Sequence, residues 1–255
     1  MLKADRFKSV LETPNIFLWL ALAFQSGFIN TGGFLACHRF VSHVTGFGTQ
    51  IGMSLARSDF FIALEMCLAP VSFVVGGVVA GYLIDRKVLD RKEPRIFRAL
   101  GLHAFVLVIV FTFGELGYFG EFGEPLILQR DFILLFLLCF ACGLQNGIFT
   151  SLTGGLIRTT HLTGVSTDLG LNLVRIQFFK GSEADLKNLK RTNLIRLLTI
   201  IFFSFGAAMG VVIFSQAQYD GFVVPAISSV MIIFYIHKLH YSSSKESLCQ
   251  KAFQN

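Results

Sequence analysis

A short polar motif occurs twice inside apolar sequence, and that repetition constrains the fold more than any single residue does. His43-Val44-Thr45-Gly46, then Thr49, Gly52 and Arg57, is matched by His161-Leu162-Thr163-Gly164, then Thr167, Gly170 and Arg175, every pair offset by the same 118 positions. Upstream, Gly27 and Asn30 recur as Gly143 and Asn146 at an offset of 116. The chain is a duplicated unit, and one half carries a two-residue insertion.

What was duplicated is a membrane module. The chain is 53% hydrophobic and only 15% charged, with a mean hydropathy of +0.65, whereas soluble domains carry about a quarter charged residues. Crossing roughly 30 Å of hydrocarbon takes about 20 apolar residues in a helix. Stretches 16–36, 60–84, 99–119, 132–157, 194–216 and 222–239 qualify. Basic residues flank alternate connections: Lys3, Arg6 and Lys8, then Arg86 to Arg98, then Arg175 to Arg191, then Lys238, Lys245 and Lys251. Under the positive-inside rule these connections and both termini are cytoplasmic. The formal charge of +6 is then a topology signal, and no nucleic-acid partner is needed to explain it. The first apolar run is too long for a cleaved leader and is read as a retained helix.

Three spans per repeat is an odd number, so the second repeat enters the membrane from the opposite side. The expected fold is an all-α polytopic membrane helix bundle of about six transmembrane helices, built as two inverted three-helix repeats with broken first helices. It is one integral membrane domain: 1–98 and 99–131 form the first repeat, 132–239 the second, and 240–255 a basic cytoplasmic tail. Gly77 to Gly81 and Gly206 to Gly210 echo each other as small-xxx-small patterns suited to helix packing. Gly32-Gly33 and Gly154-Gly155 place the expected breaks, since adjacent glycines weaken a helix by roughly 1 kcal/mol each. Thr45 and Thr163 then stand as candidate N-caps of new helices.

The run Gly27-Phe28-Ile29-Asn30, Gly33-Phe34-Leu35-Ala36 and Phe40-Val41-Ser42-His43-Val44-Thr45-Gly46 resembles the YoaK-like family of multi-span bacterial membrane proteins. Gly143-Leu144-Gln145-Asn146 with Arg158-Thr159-Thr160-His161-Leu162-Thr163-Gly164 and Thr167-Asp168-Leu169-Gly170 is similar too. The resemblance covers nearly the whole chain and implies a multi-pass helical protein of the bacterial inner membrane, without an established activity or substrate. The family pattern has Asn-Thr after the first Thr-Gly, where this chain has Phe47-Gly48. If that Asn contacts a ligand in relatives, the contact is altered or lost here.

The candidate substrate-binding residues are His43, Thr45, Thr49, His161, Thr163 and Thr167, with Asn30, Asn146 and Asp168. The histidines either handle ligand or protons, because intramembrane titratable groups are expensive, or brace a bent backbone. The asparagines serve as interhelical glue or ligand contacts. Asp168, whose counterpart is Gln50, either stabilises a helix start or carries a coupling proton. His103 reads as a snorkelling or interfacial residue, and the 29 phenylalanines as lipid-facing filler. Cys139 and Cys142 read as small packing residues.

No Walker loop, dinucleotide fingerprint, HExxH or GxSxG motif occurs. No cofactor, metal or enzymatic activity is expected. Inverted repeats with discontinuous helices suit a secondary transporter or facilitator of a small polar or anionic solute, with a site between the two motifs near the midplane. The alternatives are a membrane sensor, assembly or structural protein, and an intramembrane enzyme using the histidines. The bilayer is the expected partner, and the sequence leaves the solute and the oligomeric state open.

Overall fold

The computed structural model of the protein describes residues 13–125, 129–153, 155 and 162–252. Among them the order is α1 (Thr13–Cys37), α2 (Val44–Ala56), α3 (Phe60–Leu83), α4 (Asp85–Leu89), α5 (Ile96–Glu115), α6 (Gln129–Thr153), α7 (Leu162–Gln177), α8 (Glu183–Ala217), a 3-10 turn (Gln218–Phe222) and α9 (Val223–Ala252). No strand occurs among the described residues. Five continuous helical stretches are long and apolar enough to cross a membrane: Asn15–Cys37, Phe60–Leu89, Ile96–Glu115, Phe132–Thr153 and Glu183–Lys238. The last contains α8 and α9 with the 3-10 turn between them.

Hydrocarbon leaves no hydrophobic force to press helices together, so close approach must come from small residues. Here it does, twice. A β-carbon at Gly27 of α1 would overlap the carbonyl of Phe203 in α8, and one at Gly206 would overlap the carbonyl of Phe24. In the same way Gly143 of α6 meets the carbonyl of Phe73 in α3, and Gly76 meets that of Phe140. Farther along, Gly210 meets Phe28 and Thr31, and Gly147 meets Gly77 and Ala80, so the contacts advance along both helices and α1 runs parallel to α8 and α3 parallel to α6. The structural register is Gly76 with Gly206 and Ala80 with Gly210, one residue away from the Gly77 to Gly206 alignment expected from sequence.

Several expectations are corrected. α1 is continuous through Gly32-Gly33, because both glycines are packing clefts: Gly32 faces the ring of Phe214 and Gly33 faces Val41 of the returning chain. The helix ends instead at Cys37, where His38 takes a positive φ of 52° and the chain reverses. At the other pair, α6 stops at Thr153 and Gly155 adopts φ 81°, while Gly154 lies outside the described residues. The basic connection before the fifth apolar stretch is helical from Glu183, because Ser182 caps the Asp185 N–H and Glu183 and Asp185 sit in the first turn.

The core is more aromatic than a lipid-facing role allows. Phe28, Phe132, Phe149, Phe214 and Phe222 are fully buried. Phe214 lies at centroid distances of 5.0 Å from Phe28, 4.7 Å from Phe222 and 6.1 Å from Phe122, closing one end of the bundle. Other phenylalanines, such as Phe17, Phe60 and Phe234, do face outward. Cys37, Cys139 and Cys142 are buried and not in disulfides.

Candidate functional site

After α1 the chain doubles back along its own helix. Ser42 donates both its backbone N–H and its hydroxyl to Asn30 Oδ1, at 3.2 and 3.0 Å. This clamp is needed because a non-helical segment beside a membrane helix must find partners for its backbone. It seats His43 at the start of α2. His43 is the N-cap residue, with φ −97° and ψ 71°, and its side chain makes no capping bond. Its ring instead rests 2.7 Å from where a β-carbon of Gly46 would lie, which favours glycine at position 46.

Thr45 and Thr163 are therefore not N-caps. Thr45 is the second residue of α2, and Thr163 is the second of α7. A threonine inside the first turn cannot accept from the orphan amides ahead of it. Thr49 and Thr167 donate to the carbonyls one turn back, Thr45 O at 3.4 Å and Thr163 O at 3.0 Å.

The starts of α2 and α7 share one cavity of about 290 Å³. Asn30, Ser42, His43, Thr45 and Thr163 supply its polar lining, and Phe40, Leu162 and Phe203 are among the apolar lining. Among the residues read from sequence, the fold brings together Asn30, His43, Thr45 and Thr163. Thr49, Thr167, Asn146 and Asp168 do not line this cavity, and His161 lies outside the described residues. Among the described residues no formal charge lines it, and two helix starts contribute orphan N–H groups that carry partial positive charge. Phe47, at the departure from the family pattern, is buried in the apolar core instead of lining the cavity.

Asp168 does not stand at a helix start. It sits in the middle of α7 and pairs with Arg196 of α8 at 3.1 Å. Arg175 near the end of α7 donates to Asn172 Oδ1 at 3.1 Å.

A second polar cluster went unread in the sequence. Gln145 of α6 donates to Gln25 Oε1 at 2.8 Å. Gln25 Nε2 lies 2.8 Å from Pro225 O, 2.7 Å from Ser228 Oγ and 2.8 Å from Ser229 Oγ of α9. His103 Nδ1 lies 3.1 Å from Ser229 Oγ. His103 is 1% exposed, so the snorkelling reading is wrong: its spot on α5 faces α9, not the interface. The signal available was a glutamine inside an apolar run. At the repeat offset Gln25 falls on Ala141 and Gln145 on Ile29, so a search for symmetry passes over both.

Helices this long and apolar, packed through glycine clefts around buried polar groups, define a multi-pass integral membrane protein. The family described as Protein of unknown function (DUF1275) matches residues 18–235, and the chain belongs to it. It is 24% identical over 204 residues to the UPF0700 transmembrane protein YoaK of Bacillus subtilis (strain 168), across 80% of this chain and 84% of that protein. No solved structure matches.

Proposed function

We propose that the protein is a secondary transporter or facilitator, not an enzyme, for a small polar or anionic solute. The observation that carries this reading is the cavity lined by the starts of both α2 and α7 together with Asn30. Two half-helix starts aimed at one cavity suit a negative or strongly polar ligand. About 290 Å³ is room for a solute of a few heavy atoms.

The architecture we propose is a pair of inverted three-span repeats, with α8 and α9 as separate spans. The matching of Gly27–Phe203 with Gly143–Phe73 supports it. α2 leads into α3 at one end of the bundle, and α7 leads into α8 at the other. In this reading both termini are cytoplasmic, the membrane is the bacterial inner membrane, and the cavity is exposed alternately to its two sides.

Uptake of an isotope-labelled panel of small anions and zwitterions into proteoliposomes tests the reading. At least one member should enter faster than into empty liposomes. His43→Ala, Thr163→Val and His161→Ala should each lower that uptake about tenfold or more, the effect of losing one polar contact in a dry site. Folded variants that transport at the wild-type rate sink the site. No uptake of any panel member moves the protein to a sensing or structural role.

A further inference from the structure

Gln145, Gln25, Ser229 and His103 come from four different helices, each is at most 2% exposed, and together they form one hydrogen-bonded chain through the bundle. Gln25 is the central residue of α1, and His103 and Ser229 lie near the middles of their own apolar stretches. The chain is open at both ends. Gln145 Oε1 and His103 Nε2 are buried and lack any hydrogen-bond partner among the described residues. A network serving structure alone is normally closed, because each unpartnered buried acceptor costs about 1–3 kcal/mol.

Ser229 Oγ lies 2.8 Å from Pro225 O, which takes its one proton. We assign the His103 proton to Nδ1, the arrangement in which Ser229 Oγ keeps its bond to Pro225 O and accepts from the ring. Nε2 is a bare base in the middle of the bundle.

We propose that His103 Nε2 is a proton-binding site, and that taking up a proton opens the bundle around this chain. The step adds one proton from water to the Nε2 lone pair and turns imidazole into imidazolium. No bond breaks. In the packed arrangement that cation would face only neutral partners. Among the side chains described on the elements packed against α5, the titratable groups are Tyr235, His237 and Lys238 of α9; Arg130, Cys139 and Cys142 of α6; Tyr219 and Asp220 of the 3-10 turn; and Glu65, Cys67 and Tyr82 of α3. The described contacts give His103 no hydrogen bond or ion pair with any of them; the His237 ring lies tilted against Phe97, centroids 5.9 Å apart, and Tyr219 packs on Gly114. A buried, unpaired imidazolium is disfavoured, so protonation shifts the population toward an arrangement that lets water in. This deepens the transport reading by naming the coupling ion as the proton, and it rests on that reading for the coupled flux but not for the site.

The test uses the full chain in lipid nanodiscs with 15N-labelled histidine and glutamine, and His103→Gln to assign the signal. At about pH 8 His103 should be the neutral Nδ1–H tautomer. Stepwise acidification, carried below the range in which a free imidazole titrates, should protonate it and shift the Gln25 and Gln145 side-chain amide signals in parallel. In Ser229→Ala the tautomer should move toward Nε2–H. A His103 that stays neutral throughout, a titration that leaves both glutamine amides unmoved, or an unchanged Nδ1–H signal in Ser229→Ala overturns the proposal. None of these readouts needs a solute. Failure of the uptake assay with His103 titrating as described therefore removes the transport reading and leaves the proton site standing.

Discussion

Gly27 and Phe203 are so close that the carbonyl of Phe203 occupies the space a β-carbon on residue 27 would need. The same relationship joins Gly143 to Phe73, at sequence offsets of 116 for the glycines and 130 for the phenylalanines. Each contact is backbone against backbone, so no side-chain rotation can relieve a substitution. The consequences are measurable.

Gly27→Ala and Gly143→Ala should each destabilise the bundle by at least about 1–3 kcal/mol, the usual range for an overpacked contact. Gly77→Ala and Gly52→Ala, where an added β-carbon meets nothing within 4 Å, should be tolerated. Unfolding in detergent, followed by steric trapping, ranks the four variants. Equal stability for Gly27→Ala and Gly77→Ala contradicts a tight backbone contact between α1 and α8.

The Asp168–Arg196 pair has no counterpart in the first half, where the equivalent positions hold Gln50 and Met66. Asp168 is 57% exposed and Arg196 only 14%, and Arg196 Nη1 is buried without a partner among the described residues. Removing the acid strands a largely buried cation, whereas removing the cation leaves an acid that water can solvate. Asp168→Asn should therefore destabilise more than Arg196→Met, by no more than about 1 kcal/mol after solvent screening. Thermal unfolding of both single variants and the double variant decides it; the opposite ranking would show that the pair matters for something other than charge compensation.

Lys92 and Glu124 lie at opposite ends of the bundle, one after α4 and the other between α5 and α6. Cysteines placed there should label from opposite sides. With the basic loops inside, the Lys92→Cys site should react with an impermeant maleimide only in inverted vesicles, and the Glu124→Cys site only in intact cells. Labelling of Lys92→Cys from outside reverses the orientation.

The sequence alone determined the helical membrane character, the positions of the apolar helices and the duplication. These rest on local quantities: apolar run length, charge at run ends, and a motif repeated at fixed spacing. It also pointed to His43, Thr45, Asn30 and Thr163, which line one cavity. Tertiary structure decided the rest. Gly32-Gly33 reads as a break along the chain, because the cost of glycine is intrinsic, while the Phe214 ring and Val41 that make those glycines useful come from elsewhere in the chain. Thr45 reads as a cap until the clamp from Ser42 to Asn30 fixes where α2 starts. Asp168 reads as a helix-start acid until Arg196, 28 residues on, folds against it. The Gln25–Gln145–Ser229–His103 chain joins residues up to 204 positions apart. A buried polar group's meaning lies in its partner, and only folding brings partners that distant within 3 Å.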